Sequence, residues 1–196
     1  MSQHLVNVDS GHARTLDSED EFDWELGQIE LRRFQDEADL LLVPVLTHLP
    51  VRHRIERGAL RAWLREHHEG DECALIEESL WRWWNGDDDT VCALLLIPAI
   101  ESLVQHRAEQ RGIAVTSPAV GRRRAGFKSL GDLLASLSNR MDESWRRYLL
   151  CVLVSEYGLN LRNDLCHGIR LSASSRDVAA LVIAALHLIR MPDAEP

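Results

Sequence analysis

Asp87-Asp88-Asp89-Thr90-Val91-Cys92-Ala93-Leu94-Leu95-Leu96-Ile97-Pro98-Ala99-Ile100-Glu101 decides the fold of this 196-residue chain. Three carboxylates and a threonine read as the N-terminal cap of a helix, where acids complement the helix dipole. The helix predicted over Thr90 to Arg111 begins almost wholly apolar and ends polar. A helix without a polar face must be wrapped by others, so this one belongs at the centre of a core. Pro98 lies inside it, where a kink is expected. The apolar run Val91–Ile100 is too short to cross a bilayer.

Upstream, apolar residues recur at helical spacing from about Asp20 to Leu42, among them Ile29, Phe34, Leu40 and Leu41. Pro44 and Pro50 bracket the end of that segment. A second helix is expected from Val51 to His68, with Ile55, Leu60, Trp63 and Leu64 on one side. A third follows from Asp71 to Trp84 and stops at Asn85-Gly86. Downstream, Gly112–Phe127 reads as a loop. Helices are then expected over Ser129–Asn139, Glu143–Tyr157 and Arg176–Arg190, the last apolar throughout. No segment carries a convincing period of two. The pattern is an all-α antiparallel helical bundle with an N-terminal helical extension: a flexible polar tail over 1–18, a helical subdomain over 19–86 and the bundle over 87–191.

Composition narrows the class. Apolar residues make up 45% of the chain, enough to bury a core. The net charge of −9 is unevenly placed: residues 1–90 hold 21 acids and 9 bases, residues 91–196 hold 10 acids and 13 bases. An acidic chain is a poor non-specific nucleic-acid binder, but its second half is mildly basic. Lys128 is the only lysine, a bias typical of a GC-rich bacterial genome. Cys73, Cys92, Cys151 and Cys166 show no Cys-x-x-Cys spacing, and three of them sit in apolar, helix-like sequence. Buried thiols in a reducing cytosol follow, and with them a cytoplasmic location. The acidic start of the chain lacks the pattern of a secretory signal.

Chemistry concentrates in Gly158-Leu159-Asn160-Leu161-Arg162-Asn163-Asp164-Leu165-Cys166-His167-Gly168. Arg162 can hold a phosphate by paired hydrogen bonds, and His167 can exchange a proton near neutral pH. In a helix the two are about 140° apart, whereas Asn163 and His167 share a face. Gly168 can end the turn with a positive φ. Such a set can cleave RNA without metal or cofactor: the 2′-hydroxyl attacks phosphorus, the 5′-oxygen leaves, His167 moves protons and Arg162 supports charge. One histidine is thin for two proton transfers, and a twofold dimer would supply a second. The same residues can equally cap a helix and tie down a loop.

Residues 158–168 resemble the signature of the HEPN superfamily, in which an arginine and a histidine are separated by four to six residues. The fuller pattern, Gly-Leu-Asn-Leu-Arg-Asn and then His-Gly, is similar to a bacterial HEPN-like branch. Ile97-Pro98-Ala99-Ile100-Glu101 resembles that branch's early helix, with Glu101 as its acid. The resemblance covers roughly residues 88–191. It implies a helical bundle, a homodimer joined through the motif face, and metal-independent endoribonuclease activity in active members. It makes Arg162, His167 and Asn163 catalytic, with Glu101 and Asn160 in support. It also implies a setting in toxin–antitoxin or phage-defence systems, with an antitoxin or regulatory protein as partner and no membrane. Some members only bind RNA or nucleotides, or scaffold other proteins, which is the alternative for this chain. One toxin branch carries tyrosine two places after the histidine, where this chain has Ile169.

Other clusters compete for attention. Arg122, Arg123, Arg124 and Lys128 form the densest basic patch, extended by Arg146 and Arg147, and could guide RNA or simply be solvated. Trp81, Trp83 and Trp84 could stack on bases, but Trp81 and Trp84, with Trp63, fit better as filling between subdomains. His67, His68, Asp71 and Cys73 are metal donors without tetrahedral spacing. His106 and His187 read as surface or helix-face residues.

Overall fold

A computed structural model describes residues 4–6, 13–15, 18–118 and 126–192. The protein is all-α, with two small antiparallel ribbons added. Strands β1 (His4–Val6) and β2 (Ala13–Thr15) pair within the N-terminal segment read as a tail, most of which lies outside the described residues. Nine α-helices follow among the described residues: α1 Ser18–Glu37, α2 Val43–His53, α3 Arg57–His67, α4 Glu72–Trp84, α5 Asp89–Gln110, α6 Leu130–Ser136, α7 Glu143–Leu153, α8 Leu161–Cys166 and α9 Ser175–Arg190.

Helix α5 lies at the centre, as its sequence demands. Asp88 caps it, its carboxylate accepting from the Thr90 and Val91 amides at 2.7 and 3.3 Å. Cys92, Ala93, Leu96, Ile97, Ile100, Leu103 and Val104 are buried against α4 and α9. By length and mean hydropathy (1.3) this helix could span a membrane, yet 56% of the apolar window is buried inside the bundle, so its apolar surface is spent on the core. Helix α9 is buried along most of its length, from Val178 to Ile189. Its last carbonyls, those of Leu188 and Ile189, accept from the buried Arg107 guanidinium at 2.9 and 3.0 Å. A cation there satisfies orphan acceptors and opposes the negative end of the helix dipole.

The N-terminal half departs from the sequence reading at its prolines. Neither Pro44 nor Pro50 ends a helix. A π-helical turn, Ala38–Leu42, joins α1 to α2, and Pro44 falls in the first turn of α2. The wider turn removes the need for an ordinary hydrogen bond at the proline and rotates the apolar face. Ala38 therefore reaches the core and Leu42 packs against it, while Leu40 and Leu41 point outward. Ile29 is also exposed, and Phe34 is partly buried. Pro50 cannot donate to Leu46, four residues back; the free Leu46 carbonyl instead accepts from the Trp84 indole at 3.0 Å. Helix α2 runs on to His53 and stops at Arg54, whose φ of 49° is left-handed. Trp84→Phe removes the donor and leaves a half-buried carbonyl unpaired. A loss of about 1–2 kcal/mol in urea unfolding is the expected outcome.

The seam between residues 86 and 87 is bridged. Buried residues of α2, α3 and α4 share one continuous apolar cluster with those of α5 to α9. Among the tryptophans of α4, Trp83 is the most buried; Trp84, like Trp63, packs against the core as expected, whereas Trp81 is partly exposed and is not among the residues packed there. All four cysteines are free thiols: Cys73 and Cys92 are buried, Cys151 is intermediate and Cys166 is exposed.

Helices α3 and α4 are also clamped by charge. The Glu77 carboxylate, 5% exposed, accepts from Arg57 at 2.7 Å and from Arg61 at 2.7 and 2.8 Å. The Arg61 and Arg57 hydrogen bonds hold its carboxyl well below its ordinary 4.5, at about 2. A depressed folded value means that the clamp contributes fully above pH 4.5 and is lost as pH falls toward 2. The Tm difference between wild type and Glu77→Gln should therefore shrink steadily over that interval in thermal melts.

Candidate functional site

The segment after α7 is shaped by a close approach. The Leu159 amide donates to the Cys151 carbonyl at 2.8 Å, folding the chain back across the end of α7. Gly158 sits in the crossing, where a Cβ would lie 2.2 Å from the Cys151 carbonyl oxygen. Asn160 follows in the left-handed region (φ 50°), a conformation that asparagine tolerates better than most residues, and α8 begins. Leu161 and Leu165 anchor α8 in the core. The helix ends at Gly168, whose φ of 69° closes a Schellman turn. In that turn the Gly168 amide reaches the Leu165 carbonyl at 3.3 Å and the Ile169 amide reaches the Asp164 carbonyl at 2.9 Å.

Arg162 is held on two sides. Its Nε donates to Glu101 Oε1 at 2.7 Å, and its Nη1 donates to Asn163 Oδ1 at 3.1 Å. The Arg162 and Glu101 side chains are 30% and 28% exposed, so the pair is neither sealed nor free in solvent. Asn163 in turn donates to Asn160 Oδ1 at 2.9 Å and to the Val154 carbonyl at 3.4 Å. Asn160 donates to Asp164 Oδ1 at 2.8 Å. Both asparagines are thus committed to positioning: they lock α8 onto the end of α7 and orient the guanidinium. Glu101 reaches the motif from α5 across 61 residues of sequence. The Ile97–Glu101 and Gly158–Gly168 segments therefore meet in space.

His167 is the residue just past α8, and its amide donates to the Asn163 carbonyl at 3.0 Å. Its ring is exposed and makes no hydrogen bond among the described residues. Cys166 shares the Arg162 face of α8; desolvation pushes its thiol up, with Arg162 acting the other way, so it is no ready nucleophile at neutral pH.

Beside Arg162 opens a cleft of about 430 Å³. Its walls include Glu101 and Gln105 from α5, Arg162 from α8, Ser117 and Phe127 from the ribbon of β3 (Thr116–Ser117) and β4 (Gly126–Phe127), and Lys128 just after it. Asp132, bonded to Ser129 at 2.8 Å, lies at the same opening. The cleft brings Lys128, Arg162 and Glu101 together; His167, Asn163 and Asn160 are not among its walls. Arg122, Arg123 and Arg124 lie outside the described residues. Arg146 forms an ion pair with Glu143 at 2.6 Å.

Other sequence candidates are occupied elsewhere. His67 Nδ1 lies 2.9 Å from the Trp63 carbonyl, His68 Nε2 lies 3.2 Å from Glu72, and the Cys73 thiol donates to the His68 carbonyl at 3.1 Å. His106 packs edge-on against His68. His187 is no simple surface residue: it stacks on Trp145 with ring centroids 3.6 Å apart, and desolvation pulls its pKa down. Gln105, Ser117 and Phe127 escaped the sequence reading because no spacing links a mid-helix glutamine to a short ribbon. Comparison with protein-family models, with curated proteins and with solved structures found no match to the chain.

Proposed function

We propose that this protein is a metal-independent endoribonuclease of HEPN type, acting as a homodimer in the cytoplasm of a bacterium, in the manner of a toxin or phage-defence effector. The observation that carries the reading is Arg162, oriented by Glu101 and Asn163 at the wall of an open cleft, with His167 exposed just beyond the same short helix.

The guanidinium spends Nε and Nη1 on its two protein partners, which leaves Nη2 for an equatorial phosphate oxygen. A preoriented cation of this kind stabilises charge that develops in the transition state. An imidazole takes the 2′-hydroxyl proton as oxygen attacks phosphorus. A second imidazole protonates the departing 5′-oxygen. The products are a 2′,3′-cyclic phosphate and a 5′-hydroxyl. Because His167 is not a wall of the cleft in one protomer, twofold pairing supplies the convergence and both imidazoles. Exposed apolar residues border the motif and suit such pairing: Val91 and Leu94 on α5, and Ile169 and Leu171 after α8. The Ala173 amide donates to Thr90 Oγ1 at 3.1 Å, which holds these two segments side by side.

The displacement of His167 from the cleft also favours a second reading, a non-catalytic HEPN-like module that binds RNA, nucleotides or a protein. Incubation of structured and unstructured RNA in EDTA, with wild type beside His167→Ala, separates the two. Cleavage by wild type alone supports the nuclease; no cleavage, or equal cleavage, removes it.

A further inference from the structure

We infer that the cleft between α5, α8 and the β3–β4 ribbon is a nucleotide subsite, with the base stacked on Phe127 and the phosphate between Lys128 and Arg162; this rests on reading the cleft as an RNA site.

Four observations carry it. First, Phe127 is 73% exposed at the cleft, although burying a phenylalanine ring is strongly favourable. An uncovered ring on a cleft wall offers a stacking face that every base can use. Second, Lys128 follows it in sequence, lines the same cleft, and has no ion-pair partner among the described residues. Third, the Gln105 carboxamide and Ser117 hydroxyl line the cleft without hydrogen bonds among the described residues, ready to meet the edge of a base. Fourth, the volume of about 430 Å³ falls in the ~300–1,000 Å³ range of small-molecule sites.

Charge decides which part of the ligand matters most. Lys128 and Arg162 are matched by Asp132 and Glu101 at the same opening, so the cleft is formally neutral. A bare anion gains little there. Affinity must come from stacking and edge contacts, with the phosphate setting orientation. The occupant is therefore a nucleotide, not phosphate alone.

Calorimetric titration tests this with the four ribonucleoside 5′-monophosphates, ribose 5-phosphate and inorganic phosphate. The proteins are wild type, Phe127→Ala and Phe127→Trp. The inference expects at least one nucleotide to bind wild type, with both base-free probes weaker. Phe127→Ala should weaken binding roughly 5- to 150-fold, the loss typical of one stacked base, and Phe127→Trp should retain it. The exposed ring supports no core, so its removal leaves folding intact. The inference is overturned if no nucleotide binds wild type, if Phe127→Ala binds equally well, or if ribose 5-phosphate binds as tightly as the nucleotides. Phe127-dependent binding without RNA cleavage keeps the subsite and removes the nuclease. Cleavage without nucleotide binding does the reverse.

Discussion

His167→Ala is expected to lower RNA cleavage in EDTA by about 10²- to 10⁴-fold, the range for removing a general acid or base. Stability should not change. The ring is exposed, carries no hydrogen bond among the described residues, and follows a helix whose end is closed by backbone bonds at Gly168. Its loss removes proton transfer and leaves the Arg162–Glu101 pair intact. Single-turnover cleavage of a labelled RNA, read beside a thermal melt, separates the chemical role from the structural one. A drop in rate with an unchanged Tm supports proton transfer. Equal rates for the two proteins would remove His167 from the mechanism.

Gly158→Ala is expected to damage fold and site together. The added methyl would lie 2.2 Å from the Cys151 carbonyl oxygen and 2.8 Å from its sulphur. That same Cys151 carbonyl oxygen accepts both the Leu159 and the Asn160 amides, so the crossing cannot open without losing hydrogen bonds. A loss of about 3 kcal/mol is expected, at the upper end of the cost of overpacking. Urea unfolding measures it. Because Asn160 and Asn163 depend on the same crossing to orient Arg162, cleavage and nucleotide binding should fall even where the protein remains folded. Gly168→Ala has no such clash, only the strain of its positive φ.

Much of the helical framework was legible because it follows from local pattern. The acidic cap at Asp88, the apolar course of α5 and the continuous apolar face of α9 each announce a buried helix. The stops at Gly86 and Gly168 were equally visible from residue type, and both glycines take a positive φ in the structure. Pro44 and Pro50 misled for a definite reason. A proline ends a helix when its lost hydrogen bond has no substitute, and here a π turn and the Trp84 indole provide one. That indole lies 38 residues away, beyond any local pattern.

By itself the sequence determined an all-α chain, the central place of α5, and the chemical character of the Gly158–Gly168 segment. Residue type and spacing suffice for these, because helix periodicity, capping and side-chain chemistry are local properties. Only the tertiary structure decided that Glu101 orients Arg162, that the asparagines serve as braces, and that a cleft forms with Phe127, Lys128 and Gln105 around it. It also decided that His167 stands outside the walls of that cleft. These are contacts between distant segments, fixed by how α5, α8 and the ribbon pack, and packing depends on the whole core at once.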